Sequence, residues 1–134
     1  MTPSPTDRPR SFEGRDHGSR DDIQAMVLLA AELVPWGRVI SYGDVAELVG
    51  GGARQAGRIM ALHGAHTPWW RVVNHAGDLP QHLLVAAKFH WQREGITMKP
   101  SGRGCRIGRH RADLVALADA WEQARAAMAR SATE

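Results

Sequence analysis

Apolar residues first acquire a period after residue 22. Ile23, Val27, Ala30 and Val34 recur at the spacing of one helix face behind an acidic N-cap candidate at Asp22, and Pro35 ends the run. An amphipathic helix is therefore predicted from Asp22 to Val34. Gly37-Arg38-Val39-Ile40 then reads as a short extended piece. Ser41 with Asp44 three residues on has the capping-box form and leads into Val45, Leu48 and Val49, so a second helix is expected until Gly50-Gly51-Gly52 stops it. A third, from about Ala53 to Leu62, closes at His63-Gly64, where glycine suits the left-handed conformation common at helix ends. Two short helices joined by a glycine-rich turn make a helix-turn-helix candidate.

Beyond it, Trp69 to Val73 is an aromatic and β-branched run before the turn Asn74-His75-Ala76-Gly77, and reads as a buried strand or its approach. A helical pattern returns over Leu83 to Glu94 and ends at Gly95. Extended pieces at Ile96 to Met98 and Cys105 to Ile107 flank a Gly/Pro/Ser turn and predict a hairpin or wing. Leu114, Leu117, Ala118, Trp121 and Met128 define a last amphipathic helix. Residues 1 to 21, by contrast, have almost no apolar content beyond Phe12 and no period, and are expected to form a disordered tail. The fold class predicted is mainly α with a small β wing, in one domain over residues 22–134.

Composition narrows the class. A chain of 134 residues has room for one small domain, and 43% hydrophobic with 23% charged residues matches soluble globular proteins. No apolar run approaches the roughly 20 residues of a bilayer span, and the N-terminus is polar where a secretory signal would be apolar. The cytoplasm is the expected location, with no membrane partner. A single cysteine, Cys105, excludes an internal disulfide framework. Residues 1 to 22 hold four arginines against five acids, a net of −1, so within the formal total of +3 the folded part carries +4. Fifteen of the 17 basic residues are arginine, whose planar guanidinium suits bidentate contact with phosphate or base edges. A GC-rich genome yields the same bias, so composition permits a polyanionic partner without identifying one.

Other chemistry is sparse. His63-x-x-His66 has no Cys or carboxylate at zinc-site spacing, and Gly50-Gly51-Gly52 lacks the Lys-Ser/Thr of a phosphate loop, so neither a metal nor another cofactor is expected. Arg103, Arg106, Arg109, His110 and Arg111 either extend a phosphate-contacting surface or belong to a solvated wing and helix start.

The informative block lies between Val34 and Asn74. It contains Pro35-Trp36-Gly37-Arg38-Val39 with Ser41-Tyr42-Gly43, then Ala53-Arg54-Gln55-Ala56-Gly57-Arg58, then Pro68-Trp69-Trp70-Arg71-Val72-Val73, and Arg93-Glu94-Gly95 follows. In that order and spacing it resembles the C-terminal, DNA-binding domain of the O6-alkylguanine-DNA alkyltransferases, and more closely the alkyltransferase-like proteins, over about residues 23 to 98. The resemblance implies a winged helix-turn-helix that docks in the minor groove. It implies that Arg54 enters the duplex and fills the gap left by an extruded base, and that Tyr42 rotates the 3′ phosphate. It also implies that Ala53, Ala56 and Gly57 let the helix backbone approach the groove while Arg58 contacts a phosphate. Trp69, Trp70 and Val72 are the expected lesion pocket, with Trp70 open between packing and pocket wall. Arg71 resembles the family's structural arginine, and Asn74 its turn residue.

The departures from the family decide the expected activity. Transferases carry Pro-Cys-His-Arg, and here Trp69 and Trp70 take the places of the acceptor cysteine and the histidine. An indole supplies neither a nucleophilic lone pair nor a proton acceptor, so no catalytic residue is named and transferase activity is expected to be absent. Cys105 is expected to be a small buried hydrophobe. Glu94 matches the glutamate that supports the histidine, and its relay role should be lost. A different pocket loop, Gly77 to His82, leaves the specificity contact open among Asp78, Gln81 and a backbone amide. The expected function is a non-enzymatic sensor that binds double-stranded DNA carrying an O6-alkylguanine, flips the base and flags it for nucleotide excision repair. Excision-repair proteins are its partners by family resemblance, and a monomer is expected. The alternative is a winged-helix DNA-binding regulator without a damage pocket. An enzyme with another nucleophile would need Glu94, Asp78 or His75, whose spacing shows no acid–base pair.

Overall fold

The computed structural model describes the backbone of residues 10–133 and the side chains of residues 22–131. Its elements are α1 (Arg10–Leu33), β1 (Ile40–Ser41), α2 (Tyr42–Val49), α3 (Ala53–His63), β2 (Val72–Val73), α4 (Leu84–Glu94), α5 (Ile107–His110) and α6 (Leu114–Thr133). Single 3-10 turns stand at Trp69–Arg71 and Gln81–Leu83. The mainly helical class with little β structure is the one the sequence pattern predicts.

Two short strands divide the core. β1 and β2 pair in parallel, Ile40 opposite Val72 and Ser41 opposite Val73. Successive strand side chains point to opposite faces. Ile40 and Val72 therefore join a first cluster with Val27 and Val34 of α1, Val45 of α2, Ile59 and Met60 of α3, and Leu117 and Trp121 of α6. Val39 and Val73 face a second cluster with Leu79, Leu84, Ala87, Trp91, Ile96 and Cys105. The helix-turn-helix pair thus lies on one side of the strands and α4 on the other.

Helix α1 begins at Arg10, ahead of the predicted start at Asp22. The backbone of residues 10–21, assigned above to a disordered tail, is helical, and residues 1–9 of that tail lie outside the described residues. A nucleated helix gains one hydrogen bond for each further residue fixed, and no proline interrupts the sequence between Arg10 and Val34. At the other end of the chain the Trp121 indole donates to the Met26 carbonyl at 3.2 Å and ties α6 to α1.

The capping box at α2 forms as its sequence predicts. The Asp44 amide donates to Ser41 Oγ at 3.0 Å, and the Ser41 amide donates to the Asp44 carboxylate at 2.9 Å. Arg111 adds a second donor to the Asp44 carboxylate at 3.1 Å, so it clamps the start of α2. At the end of α3, Gly64 is not left-handed, with φ −89°. Glycine is needed there for another reason: a Cβ would stand 2.6 Å from the Met60 carbonyl oxygen.

The expected wing is two isolated antiparallel bridges, Met98 with Cys105 and Asp78 with Gly104. Gly77, at φ +89°, passes so near it that a Cβ would lie 2.2 Å from the Cys105 carbonyl oxygen. Ile107 does not extend the wing but opens α5. The chain must turn there towards β1, where Arg111 bridges Val39 and the Val39 amide donates to the His110 carbonyl at 2.9 Å. One helical turn accomplishes that. Among the described residues no helix is long and apolar enough to cross a membrane.

Ser41 is buried at 3% exposure. Ser41→Ala should cost about 1–2 kcal/mol through loss of the cap, read as a lower urea midpoint at unchanged slope. An unmoved midpoint would show that the cap contributes nothing.

Candidate nucleic-acid interface

Trp70 and Arg71 are consecutive, yet both reach one carboxylate. In a strand their side chains would point to opposite faces. The 3-10 turn at Trp69–Arg71 replaces the predicted strand there, leaving only Val72–Val73 extended. The Trp70 indole donates to Glu94 Oε2 at 2.8 Å, and Arg71 donates through Nη2 to the same oxygen at 2.8 Å and through Nε to Oε1 at 3.0 Å. The Gly37 amide donates to Oε1 at 2.9 Å, and Arg71 Nη1 reaches the Val34 carbonyl at 3.0 Å. The Glu94 side chain is 1% exposed. Burial alone would raise its pKa, but hydrogen bonds from Arg71, Gly37 and Trp70 outweigh it and hold the carboxyl below its ordinary value.

This network fixes the direction of Trp70. Its ring stacks on His90 with centroids 3.5 Å apart and planes 6° from parallel. Burial and the charge of Arg93 lower the His90 pKa against the opposing pull of Glu94, with a further lowering from Arg71, so the imidazole is mostly neutral at pH 7. Trp70 is thus a packing residue and does not line the cavity described next. That corrects its place in the expected pocket.

A cavity of about 620 Å³ opens between α3 and the loop that follows β2. Tyr42, Gly57, Trp69 and Val72 line it, so the structure brings these four sequence candidates together. Trp69 is half-buried, with its ring edge-on to Trp70 at 5.6 Å. Tyr42 lies against α3: a Cβ on Gly57 would stand 3.6 Å from Tyr42 Cδ2. Burial pushes the Tyr42 phenol up, so it stays protonated and able to donate. The far wall comes from the loop. Asn74 Oδ1 accepts from the amides of Ala76 and Asp78, both at 2.9 Å, and Lys99 pairs with Asp78. Asp78 lines the cavity and Gln81 does not.

The other candidates sit beside the cavity. Ala53, Arg54 and Arg58 are exposed on α3, and both arginines border a separate groove of about 440 Å³ with Gln24 of α1. Neither arginine has an acidic partner among the described residues. Ala56 is 2% exposed and packs in the first cluster, so it is not on the groove-facing surface expected of it. Of the wing cations, Arg111 is engaged with Asp44, and Arg103, Arg109 and Arg111 are all exposed. Cys105 is fully buried in the second cluster, and burial pushes its thiol to about 11. Among the described residues no three His, Cys, Asp or Glu side chains gather to hold a metal.

The sequence reading missed Met60, Ala61, Gly64, Ala65 and Leu83, all of which line the cavity, while His82 of the expected pocket loop does line it. One signal for them was present. Gly57, Ala61, Gly64 and Ala65 form a small-residue stripe at helical spacing, running from α3 into its closing turn. Leu83 arrives through a loop conformation that no period announces.

A family model described as the DNA-binding domain of 6-O-methylguanine DNA methyltransferase matches residues 22–98. Alkyltransferase-like protein 1 of Schizosaccharomyces pombe is 33% identical over 92 residues, covering 63% of this chain and 85% of that protein. A DNA base-flipping protein of Escherichia coli is 37% identical over 92 residues, covering 62% of this chain and 69% of its own length. A crystal structure of the S. pombe alkyltransferase-like protein in complex with damaged DNA containing O6-carboxymethylguanine superposes with a TM-score of 0.59 at 26% identity, over 68% of this chain and 94% of that one.

Removing one partner of a buried ion pair leaves the other uncompensated. Glu94→Gln should therefore cost about 3–5 kcal/mol at neutral pH in urea denaturation. Because the folded pKa of Glu94 is depressed, its contribution is present above the unfolded carboxylate value of about 4.3 and is lost as pH falls through the lower folded value. The parent should lose stability more steeply than Glu94→Gln in that acid window. Parallel pH profiles for the two proteins would refute the assignment.

Proposed function

This chain belongs to the family of 6-O-methylguanine DNA methyltransferase DNA-binding domains and is of the alkyltransferase-like type, and we propose that it is a DNA-damage sensor that receives an extruded O6-alkylguanine without repairing it. The observation that carries this reading is the cavity wall. Trp69 lines the cavity at the position where the resemblance puts the transferases' acceptor thiol, and the chain's one cysteine is buried in the other cluster with its thiol at about 11. A thiol that stays protonated and enclosed is neither nucleophilic nor accessible.

Extruding a base costs a few kcal/mol, and stacking on an aromatic ring returns about 1–3 kcal/mol per base. Trp69 supplies the ring. The cavity of about 620 Å³ is of the size that small-ligand sites have, roughly 300–1,000 Å³. Tyr42 stands at its edge with a protonated hydroxyl for a phosphate oxygen. Arg54 and Arg58, exposed and without acidic partners among the described residues, are available to the duplex, with Arg54 as the side chain that enters it. Ala53 and Gly57 keep the outer face of α3 low enough for a minor groove. The name of the E. coli relative and the damaged DNA in the S. pombe complex support the same reading. A sensor leaves the lesion in place, so its removal falls to other proteins, and by family resemblance these belong to nucleotide excision repair. The protein acts as a monomer in the cytoplasm.

The test is a binding titration at fixed salt, since phosphate contacts alone shift affinity strongly. One duplex carries a single O6-methylguanine and its match carries guanine, and the protein is weighed afterwards by mass spectrometry. Preference for the modified duplex with unchanged protein mass is expected. Trp69→Ala should lose about 1–3 kcal/mol of binding to the modified duplex and little to the unmodified one. Arg54→Ala and Tyr42→Ala should likewise weaken lesion binding more than nonspecific binding. Equal affinity for both duplexes would favour a regulator without a damage pocket, and a gain of one methyl group in the protein would mean repair.

A further inference from the structure

The outer face of α4 carries a stripe that the DNA-binding reading leaves unused. Val85, Phe89 and Arg93 follow at four-residue spacing and so share one face. Val85 is 84% exposed and Phe89 60%. Trp36, from the turn after α1, is 58% exposed and closes the end of the stripe. The Arg93 guanidinium lies 5.4 Å from the Trp36 ring centre and 5.6 Å from that of Phe89. Two aromatic faces thus hold the cation in place while its edges remain open to an acceptor. Arg93 has no carboxylate partner among the described residues. The one acid of α4, Glu94, is buried against Arg71, whereas Lys88 is exposed and adds a second positive charge.

We propose that this stripe is a docking surface for a protein segment that brings an acidic side chain to Arg93 and apolar side chains to Phe89 and Val85. Contiguous exposed apolar groups mark interaction sites, and aromatic residues with arginine are the types that anchor protein interfaces. Charge selects the occupant. A second copy of this chain in a symmetric pair would set the same cationic stripe against itself. A nucleic acid would answer the charge, but following a phosphate backbone takes a run of cations, and here two cations flank apolar side chains. The stripe also lies across the strands from α2 and α3, so a duplex seated on α3 leaves it open. Only this last point rests on the function proposed above.

The probe is a fluorescein-labelled synthetic peptide in which Asp and Glu alternate with Leu and Phe, compared with its Asn/Gln counterpart. Anisotropy is measured with the full chain, alone and saturated with the O6-methylguanine duplex, and backbone resonances are followed by NMR. The acidic peptide is expected to bind in both states and to move the resonances of Phe89, Arg93 and Trp36. Its neutral counterpart, and the variants Phe89→Ala and Arg93→Gln, should each lower affinity at least about fivefold. Duplex binding by both variants should stay unchanged, which separates failure of this surface from failure of the DNA reading. The proposal is overturned if the acidic peptide does not bind, if the neutral peptide binds equally, or if the variants bind as the parent does. It is also overturned if those resonances move with duplex alone or with protein concentration alone.

Discussion

The buried pair of Arg71 with Glu94 is the constraint on which the rest of this structure depends. Taking both charges out of water costs several kcal/mol per ion, and only a nearly complete set of hydrogen bonds offsets it. The set is assembled from distant parts of the chain: the Val34 carbonyl at the end of α1, the Gly37 amide in the turn that follows, Trp70 and Arg71 beside β2, and Glu94 at the last turn of α4. Trp70 and Arg71 are committed to the carboxylate, and Trp69 is left to the cavity. The same arginine sits 5.7 Å from the Trp36 ring, so the aromatic stripe on α4 is held by the network that shapes the cavity on the other side.

On the proposed reading, a unit that is catalytic in the transferases serves here as a scaffold. A histidine in the place of Trp70 could accept a proton as well as donate one, whereas an indole N–H only donates. The contact is made at 2.8 Å all the same. By the resemblance, Glu94 keeps its position here without a histidine to support. The neutral His90 ring stacked on Trp70 further seals that side. With Trp69 in the cavity and Cys105 enclosed, the proposed reading leaves parts for recognition: a shaped recess, a protonated phenol in its lining, and exposed arginines on the neighbouring helix with no acidic partner among the described residues.

Much of this was legible in the sequence because it is local. The capping box at Ser41 and Asp44, the glycine turn between α2 and α3, and the period of α4 each concern residues within one or two turns of one another. The parallel pairing of Ile40 with Val72 was not legible, since strands this short leave no alternating pattern. The direction of Trp70 was open for the same reason: only the fold brings Glu94 to it. Ala56 carried the small size that suits a groove-facing residue, but its position on α3 turns it to the core. The start of α1 was missed because residues 10–21 are polar and aperiodic, and periodicity reports burial, not helix propagation. The far wall of the cavity depends on Asn74 and Lys99 folding the loop back, a tertiary event with no local signature.

The most direct measurement follows Trp69 itself. In protein labelled with 5-fluorotryptophan, the Trp69 fluorine resonance is assigned from the Trp69→Phe spectrum and followed as duplex is added. If the cavity receives the extruded base, the Trp69 signal moves on saturation with the O6-methylguanine duplex and holds its place with the guanine duplex, while the core residues Trp91 and Trp121 stay unmoved with both. A Trp69 signal that does not shift when the modified duplex is fully bound would contradict it.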